Sequence, residues 1–255
     1  MDTPALAAIG LVKTFGAKRA VAGLDLAVPR GSLFGLVGPN GAGKTTTLSM
    51  ATGLLRPDAG RVLVEGIDVW ADPPAAKARM GVLPDGLRLF DRLSARELLR
   101  YIGLLRRMDL ALVQARSAEL LQVFELTADA DRLVVDYSAG MTKKIGLACA
   151  LIHAPRLLVL DEPFESVDPV SGETIRSILR SFVAGGGTVV LSSHVMELVE
   201  QLCDHVAVVA EGRVLATGPI DAVRAGEPLQ QRFLHLLGAH GLGEGALSWL
   251  RSSSD

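Results

Sequence analysis

Leu33-Phe34-Gly35-Leu36-Val37 runs directly into Gly38-Pro39-Asn40-Gly41-Ala42-Gly43-Lys44-Thr45-Thr46, and this junction constrains the chain more than any other stretch. It meets the G-x-x-x-x-G-K-[ST] spacing, with a buried-strand pattern before it and a helix-compatible stretch after it. Glycines let the backbone fold tightly and turn successive N–H groups inward as an anion nest. The helix that follows directs its positive end at the same point. Lys44 brings an ammonium to the terminal phosphates of a nucleotide, and the Thr45 hydroxyl is a hard ligand for Mg²⁺. Gly38, Pro39, Asn40, Gly41, Ala42, Gly43, Lys44, Thr45 and Thr46 are therefore expected to contact the triphosphate. Guanine selectivity of the Asn-Lys-x-Asp kind is closed, because Asn40 is the only asparagine. ATP is the expected nucleotide.

Around this junction, short apolar runs alternate with helical patterns, which points to an α/β fold with a mainly parallel sheet. Strands are expected at Leu33–Val37, Arg61–Val64, Gly81–Leu83, Leu157–Asp161, Thr188–Ser192 and Val206–Ala210, with a late hairpin over Asp204–Gly218. From about residue 86 to 137 strand signals stop. Ser94 and Glu97 have capping-box spacing. Leu98, Tyr101, Ile102 and Leu105 form one helical stripe, and Val113, Leu120, Leu121 and Phe124 form a second. This segment reads as a helical lobe inserted into a domain spanning residues 1–218, with a C-terminal helical extension and tail over 219–255. Ile220–Arg224 and Gln230–Leu237 are expected to be short amphipathic helices, and Gly241–Asp255 to be loosely held.

Of the 255 residues, 49% are hydrophobic, enough for a sizeable core, and the formal net charge of −2 supplies no overall positive field for nucleic acid or anionic lipid. The two cysteines, Cys149 and Cys203, lie in apolar stretches, which argues against a disulfide framework and for a reducing compartment. No basic n-region opens the chain, and no apolar run reaches the roughly 18–20 residues needed to cross a bilayer. A soluble chain is expected, serving a membrane only through another chain.

Farther along stand Tyr137-Ser138-Ala139-Gly140-Met141 and Leu157-Leu158-Val159-Leu160-Asp161-Glu162-Pro163. In this order they resemble the signature helix and Walker B strand of ABC-type ATPases, and His194 falls at that family's switch-histidine position. The resemblance runs from about Leu6 to Gly218. It implies a P-loop NTPase core with a mainly parallel sheet, an antiparallel β subdomain and an inserted helical lobe. It also implies roles: Asp161 holding Mg²⁺ through water, Glu162 activating the water that attacks the γ-phosphate, and His194 sensing that phosphate. Ser138 and Gly140, at the start of a helix with the apolar stripe Met141, Ile145, Ala148 and Ile152, would form a second anion site, with Lys143 and Lys144 pointing away from the stripe. In the family that site completes the P-loop of the opposite subunit, and Ser166-Val167-Asp168 matches the D-loop crossing the seam. Phe15 would stack on adenine.

Two departures accompany the match. Asp85 stands where the family usually has a glutamine reaching Mg²⁺, and it is expected to act there through a water. Tyr137, Ala139 and Met141 replace the usual signature residues. The function implied is an ATP-hydrolysing subunit of an ABC transporter, of exporter type with a separately encoded permease. It would work as a dimer with a second ATPase subunit, peripheral on the inner face of the cell membrane. Leu87, Leu89, Phe90 and Leu93 are candidates for the apolar docking surface, with core packing the equal alternative. The rival, a soluble ABC ATPase acting on nucleic acid or ribosomes, is disfavoured by the acidic balance and by the lack of a fused second ATPase domain or a coiled-coil insertion. A regulatory binder that does not turn ATP over is disfavoured by intact Lys44, Asp161, Glu162 and His194.

Overall fold

A computed structural model describes residues 3–86 and 88–238. The chain begins with a long antiparallel pair, β1 (Leu6–Phe15) and β2 (Lys18–Val28). Neither was legible as a strand, because glycines and register shifts at Ala8–Val12 and Lys13–Thr14 break the strict alternation. Next come β3 (Leu33–Val37), α1 (Lys44–Ala51), β4 (Ala59–Val64), β5 (Ile67–Asp68), α2 (Pro73–Ala78) and β6 (Met80–Leu83). The helices α3 (Ala95–Leu105), α4 (Leu110–Val123) and α5 (Ala139–Leu151) follow, and β7 (Leu157–Leu160), α6 (Pro169–Ala184), β8 (Thr188–Ser193) and α7 (Met196–Leu202) continue. The hairpin β9 (His205–Ala210) and β10 (Arg213–Pro219) precedes α8 (Ile220–Arg224) and α9 (Leu229–Leu236).

Two sheets result. The larger has the order β10-β9-β3-β8-β7-β6 and is parallel except for β10; the smaller, antiparallel one has the order β2-β1-β4-β5. The expected strand at Arg61–Val64 therefore belongs to the antiparallel sheet, paired with β1. All five residues of β3 are buried, as befits a central strand covered on both faces. Leu33 and Val37 face a core shared with α3–α9, while Phe34 and Leu36 face a second core shared with α1 and the antiparallel sheet. The P-loop strand is thus the middle layer of three. Gly35 lets α7 approach it, since a Cβ there would lie 2.3 Å from Val199.

Between β6 and α5 the described residues form α3, α4 and a 3-10 turn at Val134–Asp136. The Ser94–Glu97 capping box is present in both directions. The α3 stripe departs from expectation: Leu98 is buried and Ile102 partly so, whereas Tyr101 and Leu105 are exposed and Leu99 is buried instead. Gly103 explains the rotation, because α4 packs there so closely that a Cβ would lie 2.6 Å from Val113. Val113, Leu121 and Phe124 are buried as read. Leu89 and Leu93 pack on the core, Phe90 is exposed and meets Tyr101 edge-on at 5.1 Å, and Leu87 lies outside the described residues.

Beside this lobe, arginines cap the C-termini of two helices. Arg106 donates to the Lys77 carbonyl at the end of α2 (2.7 Å), and Arg116 donates to the Ile152 carbonyl at the end of α5 (2.9 Å). His153 sits among them with Nε2 2.9 Å from the Met80 carbonyl. The buried carboxylate of Glu65 pairs with Arg30 (2.8 Å) and Arg79 (2.6 Å) and ties the two sheets together. Both cysteines are free. The expected C-terminal helices are present as α8 and α9, and the tail expectation for Gly241–Asp255 falls outside the described residues.

Candidate functional site

The loop between β3 and α1 is shaped by backbone geometry that its glycines permit. Gly41 and Gly43 have φ of 82° and 104°, and a Cβ on Gly38 would lie 2.1 Å from the Val209 carbonyl oxygen. Gly43 caps α1 without a side-chain hydrogen bond, so the first N–H groups of that helix are directed at the loop's concavity. Lys44 is buried, and its Nζ donates to the Gly38 (2.7 Å) and Pro39 (3.2 Å) carbonyls. Burial pushes its pKa down, against Glu162 and Asp161, which pull it up.

Strand β7 is buried throughout and ends at Asp161 and Glu162. Asp161 is buried, its N–H donates to the Leu83 carbonyl (2.8 Å), and one carboxylate oxygen accepts a short hydrogen bond from the Ser192 hydroxyl. Glu162 turns through the left-handed region at φ 45° and brings its carboxylate between two groups. Oε1 lies 3.8 Å from Lys44 Nζ, and Oε2 lies 3.1 Å from His194 Nδ1. Lys44, Glu162 and His194, which come from three separate stretches of the sequence, meet at one point.

These groups line a cleft of about 430 Å³ together with Phe15, Lys18, Ala20, Asn40–Thr46, Asp85 and Glu165. Asp85 is exposed at its edge, with Oδ1 accepting from the Gly86 N–H (2.7 Å). Phe15 is the last residue of β1 and is half exposed (51%), with its ring outside the core. The hard oxygen donors Thr45, Asp85 and Asp161 suit a divalent cation that keeps waters and phosphate oxygens. Among the described residues no group of three or more His, Cys, Asp or Glu side chains could hold a metal ion by itself.

Ser138, Gly140 and Asp168 form a separate patch away from this cleft. Ser138 caps α5 by accepting from the Met141 N–H (3.2 Å), and Asp168 caps α6 by accepting from the Ser171 N–H (2.9 Å). That hydrogen bond holds the Asp168 carboxyl below the usual range. A Cβ on Gly140 would lie 3.0 Å from Asp168 Oδ2, so the two helix starts touch. Lys143 and Lys144 do not point to solvent. Lys144 is buried and pairs with Glu125 (3.2 Å), and Lys143 Nζ donates to the Glu162 carbonyl (2.9 Å). The reason is that α5 is flanked on several sides, by α3, α4, α6 and β6.

Four contributors escaped the sequence. Lys18 and Glu165 line the cleft, Ser192 bonds Asp161 and the Glu162 N–H (2.9 Å), and Gly212 in the β9–β10 turn donates its N–H to Ala42 (2.9 Å). A polar residue directly after the apolar run of β8 was the only available signal for Ser192; nothing local ties Lys18, Glu165 or the hairpin glycine Gly212 to the cleft.

Residues 21–165 match the model of the ABC transporter family. Over 88% of this chain and 71% of the relative, the sequence is 40% identical to a daunorubicin resistance ATP-binding protein, DrrA3, of Streptomyces coeruleorubidus. It is 36% identical, over 84% of this chain and 68% of the relative, to the linearmycin resistance ATP-binding protein LnrL of Bacillus subtilis (strain 168). A solved structure described as the ATP-binding subunit of an ABC transporter superposes with a TM-score of 0.85 at 27% identity, covering 91% of this chain and 99% of that one. The chain therefore belongs to the ABC transporter family, as an ATP-binding subunit.

Proposed function

We propose that this chain hydrolyses ATP with Mg²⁺ and uses the cycle to drive a separate membrane permease. The observation that carries the reading is the Glu162 carboxylate held between Lys44 and His194 at the mouth of the phosphate loop. In this reading the loop N–H groups and Lys44 hold the phosphates. Glu162 accepts a proton from the attacking water, and His194 orients that carboxylate through Nδ1 and contacts the γ-phosphate through its other ring nitrogen. Thr45 directly, and Asp161 and Asp85 each through water, would hold the cation, which supplies neutralisation of charge developing on the phosphate oxygens. Phe15 offers a ring face to adenine.

Two copies arranged head to tail give each cleft the Ser138–Gly140 helix start and Asp168 of the other copy. What supports this is that Ser138 and Asp168 are exposed and, with Gly140 packed between the two helix starts, stand outside the lining of their own cleft. No helix among the described residues is long and apolar enough to cross a membrane. A permease in another chain then supplies the passage, with this subunit at the inner face of the cell membrane. Export is the direction we favour, in line with the resistance proteins it resembles.

The Glu162→Gln variant tests the reading. It should bind ATP as the native chain does, lose phosphate release, and accumulate as a dimer under saturating MgATP. Native-rate turnover in that variant, or a strictly monomeric species, would refute the composite hydrolytic site. Affinity purification from membranes should recover a multi-span partner; recovery of soluble nucleic-acid complexes alone would refute the transport role.

A further inference from the structure

The Glu162 peptide is held from both sides by side chains on two different elements. Its N–H donates to Ser192 Oγ on β8 (2.9 Å), and its carbonyl accepts from Lys143 Nζ on α5 (2.9 Å). Between those bonds the residue keeps φ at 45°, a region that a glutamate rarely holds without outside support. The support matters because this backbone setting aims the carboxylate at Lys44 and His194.

Lys143 has no carboxylate within ion-pair distance among the described residues; the Glu162 carbonyl is its one hydrogen-bond acceptor there. A half-buried ammonium with a single neutral acceptor concentrates its attraction on that carbonyl. Lys143 also shares α5 with Ser138, the helix cap that the proposed dimer directs at the second nucleotide. One continuous helix of 13 residues therefore carries the group that meets one nucleotide and the group that holds the glutamate acting on the other.

We propose that Lys143 is a positioning residue: its grip on the Glu162 carbonyl keeps the glutamate backbone left-handed and makes the aim of the carboxylate depend on the placement of the signature helix. This rests on Glu162 activating the attacking water. A shift of α5 when Ser138 engages nucleotide across the seam then reaches the hydrolytic carboxylate of its own chain through a single hydrogen bond. A displacement near 1 Å in such a group costs on the order of 10- to 100-fold in rate.

Phosphate release and ATP binding by the purified full-length chain provide the test, with Lys143→Met, Lys143→Arg and Glu162→Gln compared with the native protein. Lys143→Met keeps the apolar stem and removes the donor. It should lower kcat by about 10- to 100-fold while KM and ATP affinity stay within about twofold. Lys143→Arg retains a donor and should recover most of the loss. Lys143→Gln, whose amide is one bond short, should behave like the methionine variant and serves if the latter fails to fold. A residue that merely packs would change Tm and leave kcat. Native kcat in Lys143→Met alongside an inactive Glu162→Gln overturns the positioning role alone. Native kcat in Glu162→Gln overturns the underlying assignment of the base. Parallel loss of kcat and ATP affinity that arginine does not restore overturns the positioning role as well.

Discussion

Gly212 belongs to no nucleotide-binding motif, yet replacing it with alanine should loosen the phosphate loop. It turns the β9–β10 hairpin at φ 72° and stands against β2, where an added Cβ would lie 2.6 Å from the Ala20 oxygen and 2.8 Å from the Val21 Cα. Both neighbours are backbone atoms, so neither can swing aside. Its N–H donates to the Ala42 carbonyl in the phosphate loop and its carbonyl accepts from the Ala22 N–H, each at 2.9 Å. Left-handed strain in alanine costs about 1–2 kcal/mol. Forced displacement of close-packed atoms adds about 1–3 kcal/mol, and weakening the bond to Ala42 adds about 1 kcal/mol. The sum is roughly 3–6 kcal/mol. Gly186→Ala is the control: φ there is 90° with open space around it, so only the strain of about 1–2 kcal/mol applies. Urea unfolding gives the stabilities, and titration with a fluorescent ATP analogue gives the affinities. Gly212→Ala should lose at least about 2 kcal/mol more than the control and bind ATP on the order of tenfold more weakly, with the control unchanged. Equal stability loss in the two variants, or native ATP affinity in Gly212→Ala, would refute the claim that the hairpin turn braces the loop.

Burial, with help from the Arg106 charge, pushes His153 down to about 4 from its ordinary 6.5. The folded chain thus prefers the neutral ring, and its contribution is complete above pH 6.5 and lost as pH falls toward 4. Between pH 7 and 5 the linkage amounts to about 2 kcal/mol, which a His153→Gln variant should abolish in pH-dependent unfolding. Glu65 is buried, which alone would raise its pKa, yet the Arg79 hydrogen bond with the Arg30 and Arg156 charges brings it below the usual range. Glu65→Gln should cost about 1–3 kcal/mol, reduced from the fully buried case because the arginines are partly exposed; an unchanged urea midpoint would count against the sheet-to-sheet tie. Phe15→Ala should weaken ATP binding about fivefold, for about 1 kcal/mol of stacking, while Phe15→Tyr should not, as read by equilibrium titration.

The local half of the nucleotide site was legible because its chemistry depends on adjacent residues. Gly38–Thr46 must follow a buried strand and open a helix, and four apolar residues before Asp161 mark a strand end, so residue types and order suffice there. The Ser94 capping box and the Glu211-Gly212 hairpin were readable for the same reason. Rotation of a helix about its axis was not: whether Tyr101 or Leu99 of α3 faces inward depends on Gly103 admitting α4, and whether Lys143 meets water or Glu162 depends on the elements packed around α5. The early pair β1–β2 escaped because register shifts erase the alternation by which strands are recognised. Lys44, Glu162, His194, Ser192 and Gly212 come from distant stretches of chain, and their distances are set by sheet order and crossover packing. Types of group are a property of the sequence; their separation to within an ångström is a property of the packed sheet, and it is that separation which turns a lysine, a glutamate and a histidine into one site.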